Sequence, residues 1–250
     1  MGLKIGAIIQ ARTGSSRFPS KVFYKLTNNL SILETLIERI KLSKKLNEII
    51  IATTNSKRDD QIEEFAVKNN IHVFRGSEND VLERYYLAAK KSNLDIIVRL
   101  TADDPLKDPK VIDDMVNIFL ADKDLDYVSN NIIPSFPEGL DVEVFNINAL
   151  ENSYLHAKLK SEREHVTPYI KKNNDLFNIK NYKSKIDMSK FRITVDYKED
   201  LMLINMILSH FKHRLDFNYA DLSEYLLRSG FTSNIIRDEG YLKSIQEDEK

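Results

Sequence analysis

Four short β-branched runs, Lys4 to Ile9, Glu48 to Thr53, His72 to Phe74 and Asp95 to Leu100, alternate with stretches whose apolar residues recur at helical spacing. That alternation restricts the first 120 residues to a parallel sheet with helices on both faces. Most of the runs are nearly continuous Ile and Val, as expected when both sides of a strand are covered. Helices are predicted at Ser31 to Leu42, Arg58 to Asn69, Asp80 to Lys91 and Pro109 to Leu120. Ser31 with Glu34 fits a capping box, and Pro109 suits a first helical turn. From Asp126 the pattern loosens. Strands are expected at Asp126 to Asn130 and Leu140 to Phe145, around a Pro and Gly turn at Pro134 to Gly139, and a further strand at Phe191 to Val195. Helices are expected at Ala149 to His156, Arg163 to Lys172, Lys198 to Phe211 and Tyr219 to Arg228, before a polar tail.

Composition excludes several classes of function. The 37 basic and 38 acidic side chains nearly cancel, so no overall field would hold a nucleic acid. Cysteine is absent, which removes disulfides, thiolate metal sites and cysteine nucleophiles together and leaves oxygen or imidazole for any metal. No apolar run reaches the roughly 18 to 20 residues of a membrane span, and no basic leader precedes the first strand. The expectation is a cytoplasmic protein with no membrane partner, in one domain over residues 1–250.

Two segments carry chemistry. The first strand opens into QARTGSSRFPSK, Gln10 to Lys21, at the carboxyl edge where open α/β sheets bind ligands. Gly14, Ser15 and Ser16 allow backbone N–H groups to curl toward phosphate oxygens, and Arg12, Arg17 and Lys21 supply three cations. The loop is neither a Walker A loop nor a dinucleotide fingerprint, since Ser20 precedes Lys21 and Val22 follows it. The same composition also suits a solvated basic turn. The fourth strand ends in VRLTADDPLKDP, placing Asp103 and Asp104 at the same sheet edge, and Asp196 follows the Phe191 to Val195 run. Carboxylates so placed suit Mg²⁺ held against phosphates, and they equally suit a turn into Pro105 and a helix cap. Ser161 with Glu164 fits a capping box as well as a substrate role, Glu83 and Arg84 suit a solvated helix face, and His210 and His213 suit a helix surface.

In combination, these segments resemble the nucleotide-sugar cytidylyltransferases, the family of the synthetases of CMP-linked sialic acid and CMP-linked 3-deoxy-manno-octulosonate. The likeness is to their SpsF-like spore coat polysaccharide biosynthesis branch. It runs through Ile8 to Lys21, ATT at Ala52 to Thr54, Phe74 to Ala89, Val98 to Pro109, Glu138 to Phe145, Ser161 to Ile170 and Ile193 to Leu201, in family order. Two departures are Ser20, where the family has glycine before the lysine, and Ala102, where it has glycine before the Asp and Pro. The resemblance implies a three-layer, Rossmann-like α/β nucleotidyltransferase fold of the GT-A-like type, with a mostly parallel central sheet and a mixed insertion. Residues 1–125 would bind nucleotide, 126–190 would build the acceptor and dimer region, and 191–250 would bring the second metal ligand.

The activity implied is transfer of CMP from CTP to a sugar acid, as a homodimer with Mg²⁺, or Mn²⁺ in its place. Arg12, Lys21, Asp103 and Asp196 would be catalytic, the two aspartates as metal ligands. Gln10, Ala11, Gly14, Ser15 and Arg17 would join Arg12 and Lys21 around the nucleotide, with Thr53, Ser77, Asp80, Arg84 and Thr101 completing that pocket. Asp104, Asp141, Glu143, Arg163 and His165 would face the acceptor.

Overall fold

The computed structural model describes residues 2–230 together with Asp248; the predicted polar tail otherwise lies outside the described residues. Its centre is a seven-stranded sheet. The strands are β1 (Ile5–Gln10), β2 (Glu48–Thr54), β3 (His72–Gly76), β4 (Ile96–Thr101), β5 (Tyr127–Ser129), β6 (Glu143–Asn146) and β7 (Ile179–Asn181), in the order β3-β2-β1-β4-β6-β5-β7. Only β6 runs against its neighbours, so the sheet is mixed but mostly parallel, as predicted. The chain builds outward from β1 through β2 to β3, then returns to place β4 on the other side of β1. The crevice at the carboxyl ends of β1 and β4 is therefore the point where strand order reverses.

Successive strand residues feed opposite layers. Ala7 and Ile9 of β1 and Val98 and Leu100 of β4 pack with helices α1 (Ile32–Ile40), α2 (Asp60–Lys68), α4 (Pro109–Ala121), α8 (Asp200–His210) and α9 (Tyr219–Arg228). Ile8 and Ile97 point the other way, against α3 (Val81–Lys91), α5 (Ile147–His156) and α7 (Pro168–Lys172). The predicted capping box forms: Ser31 Oγ accepts from Glu34 N at 3.1 Å, and a Glu34 oxygen accepts from Ser31 N at 2.5 Å. Asp108 caps α4, with Pro109 in its first turn. Arg39 of α1 is fully buried and donates to the carbonyls of Lys107, Leu215 and Phe217, which ties the loop after β4 to the segment before α9.

Four expectations are corrected. Phe191 to Val195 is not a ladder strand. It is an extended segment whose backbone partners come from two places: Glu138, on either side of a single bridge at Arg192, and Asp103, whose carbonyl accepts from Val195 N at 3.0 Å. The helix expected over Arg163 to Lys172 is two, α6 (Lys160–His165) and α7, because Val166 adopts φ 73° and Pro168 begins the second. Ser161 does not cap α6. Glu162 does the reaching, accepting from Lys158 N at 3.0 Å and Leu159 N at 3.1 Å. Arg84 is not solvated: it is 2% exposed, and its guanidinium donates to Ser77 O at 2.7 Å. The three-residue β7 has no counterpart among the expected strands; it is too short for alternation to show.

The extended 191–196 segment passes close over the turn at Gly139, which has φ 103°; a Cβ there would lie 2.9 Å from the backbone of Ile193 and Thr194. Both the dihedral and the approach require glycine. Gly139→Ala should lower stability by about 2 kcal/mol or more, measured by urea unfolding. A change below about 0.5 kcal/mol would show that the two segments do not pack this way.

Candidate active site

The ladder sets the site's floor. Gln10 pairs in register with Thr101 of β4 and Ala52 of β2, so the loop after β1 and the acidic turn after β4 leave the sheet side by side. The loop is closed internally by Ser20 N donating to Thr13 O at 2.9 Å. It is pinned from outside by Asp59, a buried carboxylate that takes Thr13 N and Thr13 Oγ1, both at 2.7 Å, and the Thr54 hydroxyl. Burial would raise the Asp59 carboxyl, but the bonds from Thr13 and Thr54 bring it below its ordinary value. Asp59 falls outside the residues the sequence singles out, since an Asp entering a helix reads as an ordinary cap.

Lys21 stands at the centre. Its ammonium donates to Asp103 Oδ2 at 3.0 Å, Asp196 Oδ1 at 2.9 Å and Val195 O at 2.7 Å, using all three protons. Lys21 is 7% exposed. Burial alone would lower its pKa, and the charges of Asp103 and Asp196 more than reverse that. Burial likewise opposes ionisation of Asp196, yet Lys21 and then Arg17, whose guanidinium lies 2.7 Å from Asp196 Oδ1, hold its carboxyl down at about 2. The two aspartates, 93 positions apart in the sequence, therefore meet at one cation. No strand pairing brings them together; the single Val195-to-Asp103 hydrogen bond and Lys21 do.

The remaining predicted residues fall into groups. Arg12 is exposed, Ala11 buried, and Gly14 lies against the Arg58 guanidinium, which a Cβ would meet at 2.7 Å. Ser15 Oγ accepts from Phe18 N, and Gln10 Oε1 accepts from Arg99 at 3.1 Å. Thr53 is buried with its hydroxyl unpartnered. Thr101 donates to Asp104, whose carboxylate lies 2.8 Å from buried Lys107, and the Lys107 ammonium also reaches the Asp141 carbonyl. Burial would lift Asp104, but Lys107 keeps it below the ordinary carboxylate range; Asp141, also lifted by burial, stays above it. These residues form a charged chain leading away from Asp103.

A second group sits on α3 and α6. Ser77 Oγ accepts from Asp80 N, Asp80 caps α3, and its other oxygen is taken by Arg163. Arg163 also donates to Tyr154 O at 2.7 Å, so its guanidinium is already engaged; His165 ends the same short helix, half-buried. Glu143 is an internal node rather than part of this rim. It is 2% exposed and bound by Arg99, Tyr127, Thr167 at 2.7 Å and Lys171 at 2.9 Å, whose cations hold it far below the ordinary range despite burial.

Sequence reasoning also passes over Arg192, Asp200, Lys107 and Glu138. Arg192 contacts Asp196, Asp200 and Glu138. Burial pushes Glu138 up to about 7 in spite of Arg192. Of these, Lys107, Glu138 and Asp200 lie within the segments Val98 to Pro109, Glu138 to Phe145 and Ile193 to Leu201, the one signal that could have drawn notice to them.

Residues 6–218 match the sequence profile of the family described as cytidylyltransferase. An uncharacterized protein of Methanocaldococcus jannaschii is 45% identical over 212 residues, 84% of this chain and 85% of its own length. The spore coat polysaccharide biosynthesis protein SpsF of Bacillus subtilis is 33% identical over 230 residues, 89% of this chain and 93% of its own. Among solved structures, a cytidylyltransferase from Leptospira borgpetersenii serovar Hardjo-bovis superposes with a TM-score of 0.89 at 38% identity, covering 94% of this chain and 100% of the other.

Ser20 adopts φ 55° and ψ 21°, the left-handed region, which the glycine that the resemblance implies at this place would adopt without strain. Replacing it tests the loop's geometry. Ser20→Gly should match or slightly exceed the parent in stability, whereas Ser20→Val should fall about 1 to 2 kcal/mol below the glycine variant in thermal or urea unfolding. Equal stability of the two would contradict the left-handed turn.

Proposed function

The chain belongs to the cytidylyltransferase family, and from that premise we propose that it transfers CMP from CTP to a sugar acid of the 2-keto-3-deoxy type, releasing pyrophosphate. The observation that carries the reading is the meeting of Lys21, Asp103 and Asp196 at the strand-order reversal. A buried ammonium with two carboxylates is costly to keep in a fold that does not use it.

The donor set fits Mg²⁺. Asp103 and Asp196 converge on one cation, both offer hard oxygen ligands, and Mg²⁺ characteristically takes one or two carboxylates and completes its shell with water and substrate phosphates. Among the described residues no group of three His, Cys, Asp or Glu is placed to hold a metal ion. When bound there, Mg²⁺, or Mn²⁺ in its stead, supplies neutralising charge to the phosphates.

The chain's own residues do the rest. Arg12 and Arg17, both exposed on the loop, and Lys21 beneath them neutralise the triphosphate and the charge that gathers on the departing pyrophosphate. The acceptor hydroxyl oxygen bonds to the α-phosphorus in line as the α–β anhydride bond breaks, and the hydroxyl proton leaves to solvent or a carboxylate. Gln10, Ser77 and Thr101 line the nucleotide side in this reading, with Thr53 wholly buried in β2. Asp104, Asp141, Arg163 and His165 extend it toward the acceptor. Engagement of Arg163 by Asp80 favours a second reading, in which the acceptor is phosphorylated and is held by the loop cations instead. An inactive nucleotide-binding scaffold is disfavoured by the charges kept at Lys21. Homodimerisation through the 126–185 region belongs to the same proposal.

Asp103→Asn is the cleaner probe of the two carboxylates' role, because removing Lys21 would leave Asp103 and Asp196 facing each other. Pyrophosphate release with CTP and a sugar-acid acceptor should fall by about a hundredfold or more in Asp103→Asn. Among CTP, UTP, GTP and ATP, CTP with Mg²⁺ should give the largest rise in melting temperature. Parent-like turnover by Asp103→Asn, or no stabilisation by any nucleotide, would sink the reading.

A further inference from the structure

Asp196 divides its two carboxylate oxygens between two environments. Oδ1 faces Lys21 and Arg17. Oδ2 is taken from behind by Arg192 Nη2 at 2.8 Å. Arg192 in turn binds Asp200 Oδ1 at 2.6 Å through Nη1, while its Nε lies 3.4 Å from Glu138 Oε1. Asp200 completes the frame: its Oδ2 accepts from Asp196 N at 2.7 Å and Tyr197 N at 2.8 Å. The main chain and the rear oxygen of Asp196 are thus fixed by one fork of donors and acceptors. Arg192 is itself anchored, since its residue forms the single bridge to Glu138 in the 191–196 segment.

We propose that Arg192 is a positioning residue that sets the rotation of the Asp196 carboxylate, so that one oxygen is presented to the cation and nucleotide while the other is kept out of the site. This rests on the reading of Asp196 as a metal-holding group. The planar guanidinium is needed for its geometry, not only for its charge. Nη1 and Nη2 diverge to two carboxylates at once, which a lysine ammonium on a flexible stem does not reproduce. Without the fork, three acidic groups (Glu138, Asp196 and Asp200) would crowd one half-buried spot, and Asp196 would be free to turn its second oxygen inward. Partners that orient a metal ligand from outside commonly contribute about 10- to 100-fold to metal affinity.

The test uses Mn²⁺ as a spectroscopic probe, with free and bound ion separated by electron paramagnetic resonance in the presence of CTP and no acceptor. Arg192→Lys and Arg192→Met should each weaken Mn²⁺ binding by about tenfold or more, while CTP binding in EDTA stays within about twofold of the parent. Asp200→Asn, which keeps the guanidinium but loosens its frame, should give a smaller loss and covers the case in which an Arg192 variant fails to fold. Asp196→Asn is the reference. Parent-like Mn²⁺ affinity in the folded Arg192 variants or in Asp200→Asn, with Asp196→Asn weakened, would overturn the positioning role alone. Parent-like affinity in Asp196→Asn as well would overturn the metal reading and this inference with it. Equal loss of CTP binding in EDTA would mark a general collapse of the site and also contradict the proposal.

Discussion

Three proton-donating directions of one ammonium organise this molecule's working end. Lys21 leaves the loop after β1, crosses to Asp103 82 residues on, and reaches Val195 and Asp196 more than 170 residues on. A buried cation in that position is tolerable only because it is fully paired; its partners are tolerable there for the same reason. The arrangement fixes three otherwise independent segments to within hydrogen-bond tolerance. It also explains why the extended 191–196 segment need not join the sheet: a single bridge to Glu138, one backbone bond to Asp103 and the side-chain contacts of Arg192 and Asp196 hold it.

From this centre, charge is passed outward in pairs. One chain runs from the acidic turn through Asp104 and Lys107 to Asp141; another runs from Asp196 through Arg192 to Asp200 and Glu138. Burial favours the neutral form of Asp104 and Asp196 and their cationic partners outweigh it, whereas at Asp141 and Glu138 burial prevails. The loop itself is restrained differently, by the neutral hydroxyl and amide bonds of Thr13 and Thr54 to Asp59. Its exposed cations, Arg12 and Arg17, sit on a base fixed by those bonds.

Much of the fold was legible because it obeys local rules. The runs at β1, β2 and β4 are apolar on both faces, the Ser31 capping box and the Pro109 start are short-range patterns, and all appear where their residues dictate. The failures share a cause: they concern long-range partners that leave no periodic trace. Phe191 to Val195 has a strand's composition, but its neighbours are a turn and a loop. Arg84 reads as a charged helix position, yet the chain before α3 folds over it and the Ser77 carbonyl receives it. The break between α6 and α7 is the exception, since Pro168 signals it locally while Val166 takes φ 73° there. In the site, the carboxylates and loop cations were recognisable by position at strand ends. Their supports, Asp59, Arg192 and Asp200, were not, because each looks like an ordinary helix-end or strand charge until its partners are known.

Diffraction from crystals grown with Mn²⁺ and CTP, recorded at the manganese absorption edge, tests the central claim most directly. The account predicts an anomalous peak within bonding reach of both the Asp103 and Asp196 carboxylates, with the triphosphate lying against Arg12, Arg17 and Lys21. A peak elsewhere, or a nucleotide whose phosphates do not touch the loop from Gln10 to Lys21, would contradict it.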